Sequence, residues 1–183
     1  MVKIYMVRHG KAAAGYGGHP DPGLDALGRQ QAQDTAAALA GLGPLPIYSS
    51  PLARARETAE PLARCWDAEI VIEPRVAEIP SPSHLDLVAR ADWLRSAMAG
   101  RWHALDADLQ TWRQNLVRCL LALPEDSVVF CHFIAINVAV GAAQQDDRMV
   151  VFPPDNGSVT LLEADAGRLR LVEIGRSAQT HVN

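Results

Sequence analysis

The sequence predicts an α/β fold: a three-layer sandwich with a mainly parallel sheet flanked by helices. Short apolar runs of strand length at 2–7 and 127–131 alternate along the chain with longer segments of helical length. Alternating strands and helices are the pattern of a parallel sheet covered on both faces. Near the end, Asp165-Ala166-Gly167 separates two strand-like runs. That is a hairpin signal, so the last pair of strands is expected to be antiparallel.

The first strand, over 2–7, leads into a loop from Arg8 to about Leu24 that is rich in Gly and Pro, including Gly10, Gly15, Gly17, Gly18, Pro20 and Pro22. Asp25 is placed to cap a helix over about 26–40, stopped by Gly41 and Gly43. A second strand is expected over 46–49. Ser50-Pro51 then reads as a cap followed by proline at the first helical position, opening a helix that runs to about Trp66. A weaker third strand covers 69–72. The three prolines of 74–83 predict a loop without regular structure. Two helices, about 85–98 and 109–123, are joined through Gly100, and 84–123 reads as a helical insert in a single domain spanning 1–183. The strand 127–131 passes into an apolar helix over 134–143, and the hairpin strands cover about 158–163 and 168–174.

Composition narrows the function classes. Hydrophobic residues make up 49% of the chain and the formal net charge is −4. That balance disfavours a nucleic-acid or membrane-surface binder, either of which needs a basic excess. No apolar run approaches the roughly 20 residues of a membrane span, and the chain starts on a strand-like segment with no signal-peptide pattern. Cys65, Cys119 and Cys131 are odd in number and widely spaced, as expected for reduced thiols in a cytoplasmic protein.

Ligands of parallel α/β sheets bind beyond the carboxyl ends of the strands. Arg8, His9 and Gly10 follow the first strand. Ser50 and, one turn on, Arg54 follow the second. Glu78 lies in the loop after the third, and His132 follows the strand 127–131. Two histidines, two arginines and a carboxylate on one sheet edge suit a phosphoryl group. Arginine offers a planar fork of donors to a dianion. One imidazole can attack phosphorus, and the other can donate to the oxygens that carry charge in the transition state. A carboxylic acid can protonate a leaving oxygen and then deprotonate water. Arg56 competes with Arg54 on the same helix, and Glu73 and Glu57 compete with Glu78. Lys11 and His19 are further candidate substrate contacts.

Other chemistries fit less well. Asn137 stands where a cysteine phosphatase would need arginine, six residues after Cys131. Asp106-Ala107-Asp108 follows no apolar strand and reads as a helix start rather than an aspartyl nucleophile. No P-loop, complete GxGxxG or HExxH is present, and His84, His103 and His181 lack metal-ligand spacing. No metal or other cofactor is expected.

Arg8-His9-Gly10 after an N-terminal strand resembles the signature of the histidine phosphatase superfamily, also called the phosphoglycerate mutase-like family. Ser50-Pro51-Leu52-Ala53-Arg54-Ala55 with Thr58-Ala59 is similar to its second motif, Val76-Ala77-Glu78 to its acid-bearing segment, and Val128-Val129-Phe130-Cys131-His132 to its late strand and histidine. Residues 24–32 resemble its first helix. The resemblance implies a phosphoglycerate mutase-like fold, His9 as nucleophile, Arg8, Arg54 and His132 as the phosphate pocket, and Glu78 as acid/base. It implies a phosphatase acting on a phosphomonoester or phosphoramidate, in a phosphorylated small molecule or a phosphoprotein. A mutase-like phosphotransferase and a catalytically silent phospholigand binder are the alternatives. Lys11-Ala12, Phe133 and Ile79-Pro80-Ser81-Pro82 depart from the patterns common in that family.

Overall fold

The computed structural model describes residues 1–15 and 18–178, so Gly17 of the first loop and His181 lie outside the described residues. Six strands form one sheet: β1 (Val2–Arg8), β2 (Ile47–Ser49), β3 (Ile70–Ile72), β4 (Ser127–Cys131), β5 (Val159–Asp165) and β6 (Arg168–Glu173), in the order β3-β2-β4-β1-β5-β6. β1 pairs in parallel with β4, and β2 in parallel with both β3 and β4. β5 runs antiparallel to β6, as the turn residues predict, and also antiparallel to β1. Ala166 and Gly167 both take positive φ in that turn.

Side-chain alternation along the strands builds a core on each face. Val7, Ile47, Val128 and Phe130 face the helices α1 (Ala26–Leu39) and α2 (Ala53–Trp66), meeting Ala36, Leu39, Ala59 and Leu62. Ile4, Met6, Val129 and Cys131 face the opposite way. They meet Leu116 and Leu120 of α4 (Ala107–Leu121) and Ile134 and Val138 of α5 (Phe133–Gln144). α3 (Leu87–Met98) joins the edge of this second core through Leu94. Burying a large aliphatic side chain stabilises by about 1.5–3 kcal/mol, and these side chains outnumber the fully buried aromatics Trp102 and Phe130. The core is therefore mainly aliphatic.

Three helices begin on an aspartate that accepts a backbone N–H of the first turn: Asp25 from Gly28, Asp86 from Ala89 and Asp106 from Leu109. α2 departs from expectation. It starts at Ala53, with Leu52 at the cap position and no side-chain cap. The Ser50 hydroxyl accepts the N–H of Leu52 and meets His132 instead. The proline-rich segment also differs, because Pro74–Val76 forms a 3₁₀ turn capped by the Glu73 carboxylate. Between α3 and α4 the chain makes another 3₁₀ turn, Trp102–Ala104, beside a backbone bridge between Arg101 and Arg148.

Candidate active site

Strand register brings the site together. Arg8 lies opposite Cys131, and Ser49 opposite Phe130. His9, Ser50 and His132 therefore leave three neighbouring parallel strands at one end of the sheet, and the rings of His9 and His132 lie 5.2 Å apart, centre to centre.

The backbone at His9 is held from several sides. Arg8 and His9 donate their N–H groups to the carbonyls of Ser158 and Cys131, and Gly157 donates to the carbonyl of Arg8. Asn156 Nδ2 donates to the carbonyl of His9 at 2.9 Å. Gly10 N donates to Thr58 Oγ1 at 2.9 Å, and that hydroxyl donates to the carbonyl of Arg54 at 2.6 Å. Gly10 is needed for close approach: a Cβ there would sit 2.5 Å from the carbonyl oxygen of Gly28. A tight turn with positive φ is not the reason, since Gly10 has none.

His9 Nδ1 lies 2.7 Å from the carbonyl of Gly10. A carbonyl can only accept, so Nδ1 carries the proton and Nε2 carries the lone pair. Arg54 Nε donates to that lone pair at 3.3 Å. Burial, then the Arg54 and Arg8 charges, hold the His9 pKa well below the usual histidine value. Arg8 is 8% exposed. It donates from one terminal nitrogen to the Pro154 carbonyl at 2.8 Å, and its guanidinium lies 5.2 Å from the centre of the Phe133 ring. Phe133 thus supports Arg8 through a cation–π contact.

His132 is fully buried. Its Nε2 lies 2.8 Å from Ser50 Oγ. With that hydroxyl, which accepts from Leu52, giving its own proton to His132 Nε2, the ring proton sits on Nδ1. Nδ1 has no hydrogen-bond partner among the described residues and sits 3.6 Å from Glu78 Oε2. Burial pushes the His132 pKa well down, with His9, Arg54 and Arg8 adding to it. Glu78 accepts the N–H of Ile79 on one oxygen and lies 3.7 Å from Arg54 on the other. Burial raises its pKa against the opposing pull of Arg54, the Ile79 N–H and Arg8.

Competing candidates have other partners. Glu57 accepts the N–H of Leu24, and Glu73 forms a two-pronged pair with Arg75. Arg56 is exposed. Lys11 pairs with Asp25 at 3.5 Å, whereas His19 lies on the cleft wall. Cys131 is buried in β4, and burial raises its thiol pKa. Asn137 accepts the N–H groups of Val151 and Phe152, a structural task. Among the described residues, no group of three or more His, Cys, Asp or Glu is arranged to hold a metal ion.

Arg8, His9, Arg54 and Glu78 open onto a cleft of about 350 Å³. Sequence reasoning assigned no role to Asn156, Thr58 or Arg90, although all three sit in or behind this cleft. Thr58 had a usable signal: four residues after Arg54, it shares a helix face with it. Asn156 reaches His9 from a loop after α5, and nothing in its local sequence marks that approach.

A family model for the histidine phosphatase superfamily (branch 1) matches residues 4–177. The chain belongs to this superfamily. A probable phosphoglycerate mutase GpmB of Erwinia tasmaniensis is 30% identical over 159 residues, covering 76% of this chain and 74% of that protein. A solved mycobacterial glucosyl-3-phosphoglycerate phosphatase is 24% identical, with a TM-score of 0.77 over 96% of this chain and 99% of its own. A phosphoserine phosphatase from Entamoeba histolytica, solved with 3-phosphoglyceric acid, is 23% identical, with a TM-score of 0.75 over 98% of each chain. These two structures share the superfamily fold with this chain. No helix among the described residues is long and apolar enough to cross a membrane.

Proposed function

We propose that this member of the histidine phosphatase superfamily is a metal-independent phosphatase that hydrolyses a phosphomonoester or phosphoramidate through a phosphohistidine on His9. The observation that carries the reading is the unprotonated Nε2 of His9, turned toward Arg54 beside the largely buried Glu78. Arg8, Arg54 and the Nδ1–H of His132 bind the phosphoryl oxygens. The Nε2 lone pair forms the bond to phosphorus as the bond to the leaving oxygen breaks. Glu78 delivers its proton to that oxygen, and the carbonyl of Gly10 supports the charge on the phosphorylated ring through Nδ1–H. Glu78, now a carboxylate, takes a proton from water. The water oxygen bonds to phosphorus, and the P–N electrons return to Nε2.

The substrate is a phosphorylated small molecule or a phosphoprotein. The unpaired cysteines, two of them buried, support a cytoplasmic setting. Incubation with an aryl phosphate followed by rapid quench tests the mechanism. Phosphate should be trapped on the wild type as an acid-labile, base-stable adduct, and both adduct and turnover should vanish in His9→Ala. Normal turnover by His9→Ala overturns the reading, and a folded wild type that turns over no phosphate ester favours a binding role.

The Erwinia relative's name supports a second reading, a phosphotransferase of the mutase kind. Adding acceptor alcohols during turnover separates the two. Transfer to the alcohol in preference to water favours the mutase, and release of inorganic phosphate favours the phosphatase.

A further inference from the structure

α3 turns one face to the cleft. Leu87, Arg90, Leu94 and Met98 all line it, at the spacing that stacks side chains along one side of a helix. Ile79 and Phe133 continue the apolar wall. The phosphoryl chemistry described above uses none of the four α3 residues, so this wall faces whatever is attached to the phosphoryl group.

Arg90 is the one charged residue of that face. Its Nε is buried and has no hydrogen-bond partner among the described residues. A buried guanidinium nitrogen without an acceptor is costly, and a carboxylate in the cleft would draw the guanidinium toward it and relieve that cost. The leucines and the methionine beside it offer nothing to hydroxyl groups. A hydroxylated leaving group would exchange water for apolar contact there, and an apolar one would gain from the same contact.

We propose that the α3 face is the leaving-group subsite, and that it selects an apolar alkyl or aryl body ending in a carboxylate that Arg90 engages. This inference rests on the phosphatase reading of the same cleft. It makes Arg90 a specificity residue that touches the leaving group, with no part in the phosphoryl step.

Alkyl phosphates test it in the wild-type enzyme, and the slightly better leaving group of glycerol 1-phosphate biases the comparison against the expected result. The probes are 3-methylbutyl phosphate, glycerol 1-phosphate, and a series of ω-carboxyalkyl phosphates of graded length with their methyl esters. The expected kcat/KM is about tenfold or more higher for 3-methylbutyl phosphate than for glycerol 1-phosphate, and at least one carboxylate should exceed its methyl ester by a similar factor. Arg90→Met should abolish the carboxylate preference while leaving 3-methylbutyl phosphate within about twofold, the spread of a neutral contact. Leu87→Gln should shrink the preference for the apolar body.

Turnover of 3-methylbutyl phosphate reports whether each variant is folded, and the wild-type preferences need no variant at all. Hydrolysis with no preference for the apolar body, or with a carboxylate preference absent or kept in Arg90→Met, overturns the subsite and leaves the phosphatase reading intact. Failure to hydrolyse any probe, with no phosphate trapped on His9, overturns both.

Discussion

Arg54 donates its Nε–H to the Nε2 of His9 across 3.3 Å. The guanidinium therefore rests on the lone pair that would attack phosphorus. In the proposed mechanism an incoming phosphoryl group offers it stronger, charged acceptors, so binding would draw Arg54 off the imidazole and free its lone pair. Arg54 is also one of the causes that depress the His9 pKa. Arg54→Met is expected to lower kcat/KM by at least about 10²-fold, the scale for loss of one fixed donor to developing charge. It should also raise the His9 pKa. An NMR titration of the imidazole and the acidic limb of the pH–rate profile should move upward together.

Glu78→Gln keeps size and hydrogen bonding but has no proton to deliver. General-acid help is typically worth about 10²–10⁴-fold for a poor alkoxide leaving group and much less for an activated aryloxide. Single-turnover phosphoryl transfer should fall steeply with an alkyl phosphate and less with nitrophenyl phosphate. Equal losses on both would remove Glu78 from the acid role.

In the proposed mechanism His9 and Glu78 also set the pH range. Attack needs His9 neutral, and its pKa is depressed. Proton delivery needs Glu78 protonated, and its pKa is raised by burial. Activity on alkyl phosphates is therefore lost as pH falls through the low His9 value and as pH rises through the elevated Glu78 value. The optimum is expected to be acidic. In kcat/KM profiles, the alkaline limb assigned to Glu78 should disappear in Glu78→Gln while the acidic limb remains.

Two guanidiniums already supply positive charge at the phosphoryl position, which is why metal independence is expected. Activity should survive exhaustive chelation, and vanadate should inhibit by adopting five-coordinate geometry between His9 and the arginines. Loss on chelation with recovery on adding a divalent ion would contradict the proposed mechanism.

Gly28→Ala tests how the loop is seated. A Cβ there would lie 2.1 Å from the carbonyl oxygen of Lys11. Alanine favours a helix over glycine by about 1 kcal/mol, but relieving backbone overlap costs about 1–3 kcal/mol. The steric cost is expected to win. The urea midpoint should fall with m unchanged, and activity should fall as Gly10 is displaced.

Much of this fold was legible because the signals are local. The runs at 2–7 and 127–131 are apolar enough to be strands in any context, and Asp25 caps its helix as its type predicts. The start of α2 differs from the sequence expectation for a physical reason: Ser50 has a capping side chain, but its hydroxyl is committed to Leu52 and His132. The 3₁₀ turn at Pro74 was missed because its stabilising partner is the Glu73 carboxylate, which acts only once the turn exists. Glu78, Glu73 and Glu57 were indistinguishable by residue type. Glu73 finds its partner two residues on, in Arg75, whereas the meetings of Glu57 with Leu24, Glu78 with Arg54 and Asn156 with His9 arise from tertiary packing.

The satisfied backbone of Arg8, His9 and Gly10 gives this loop the hydrogen-bonding of a central strand. Its amides should exchange with solvent as slowly as those of β1 and β4, and far more slowly than those of the 79–86 segment. The proposed leaving-group wall can then yield without moving His9. Substitutions on α3 would retune which molecules are accepted while the chemistry stays constant, so a collection of α3 variants is a practical route to new substrates from one chain.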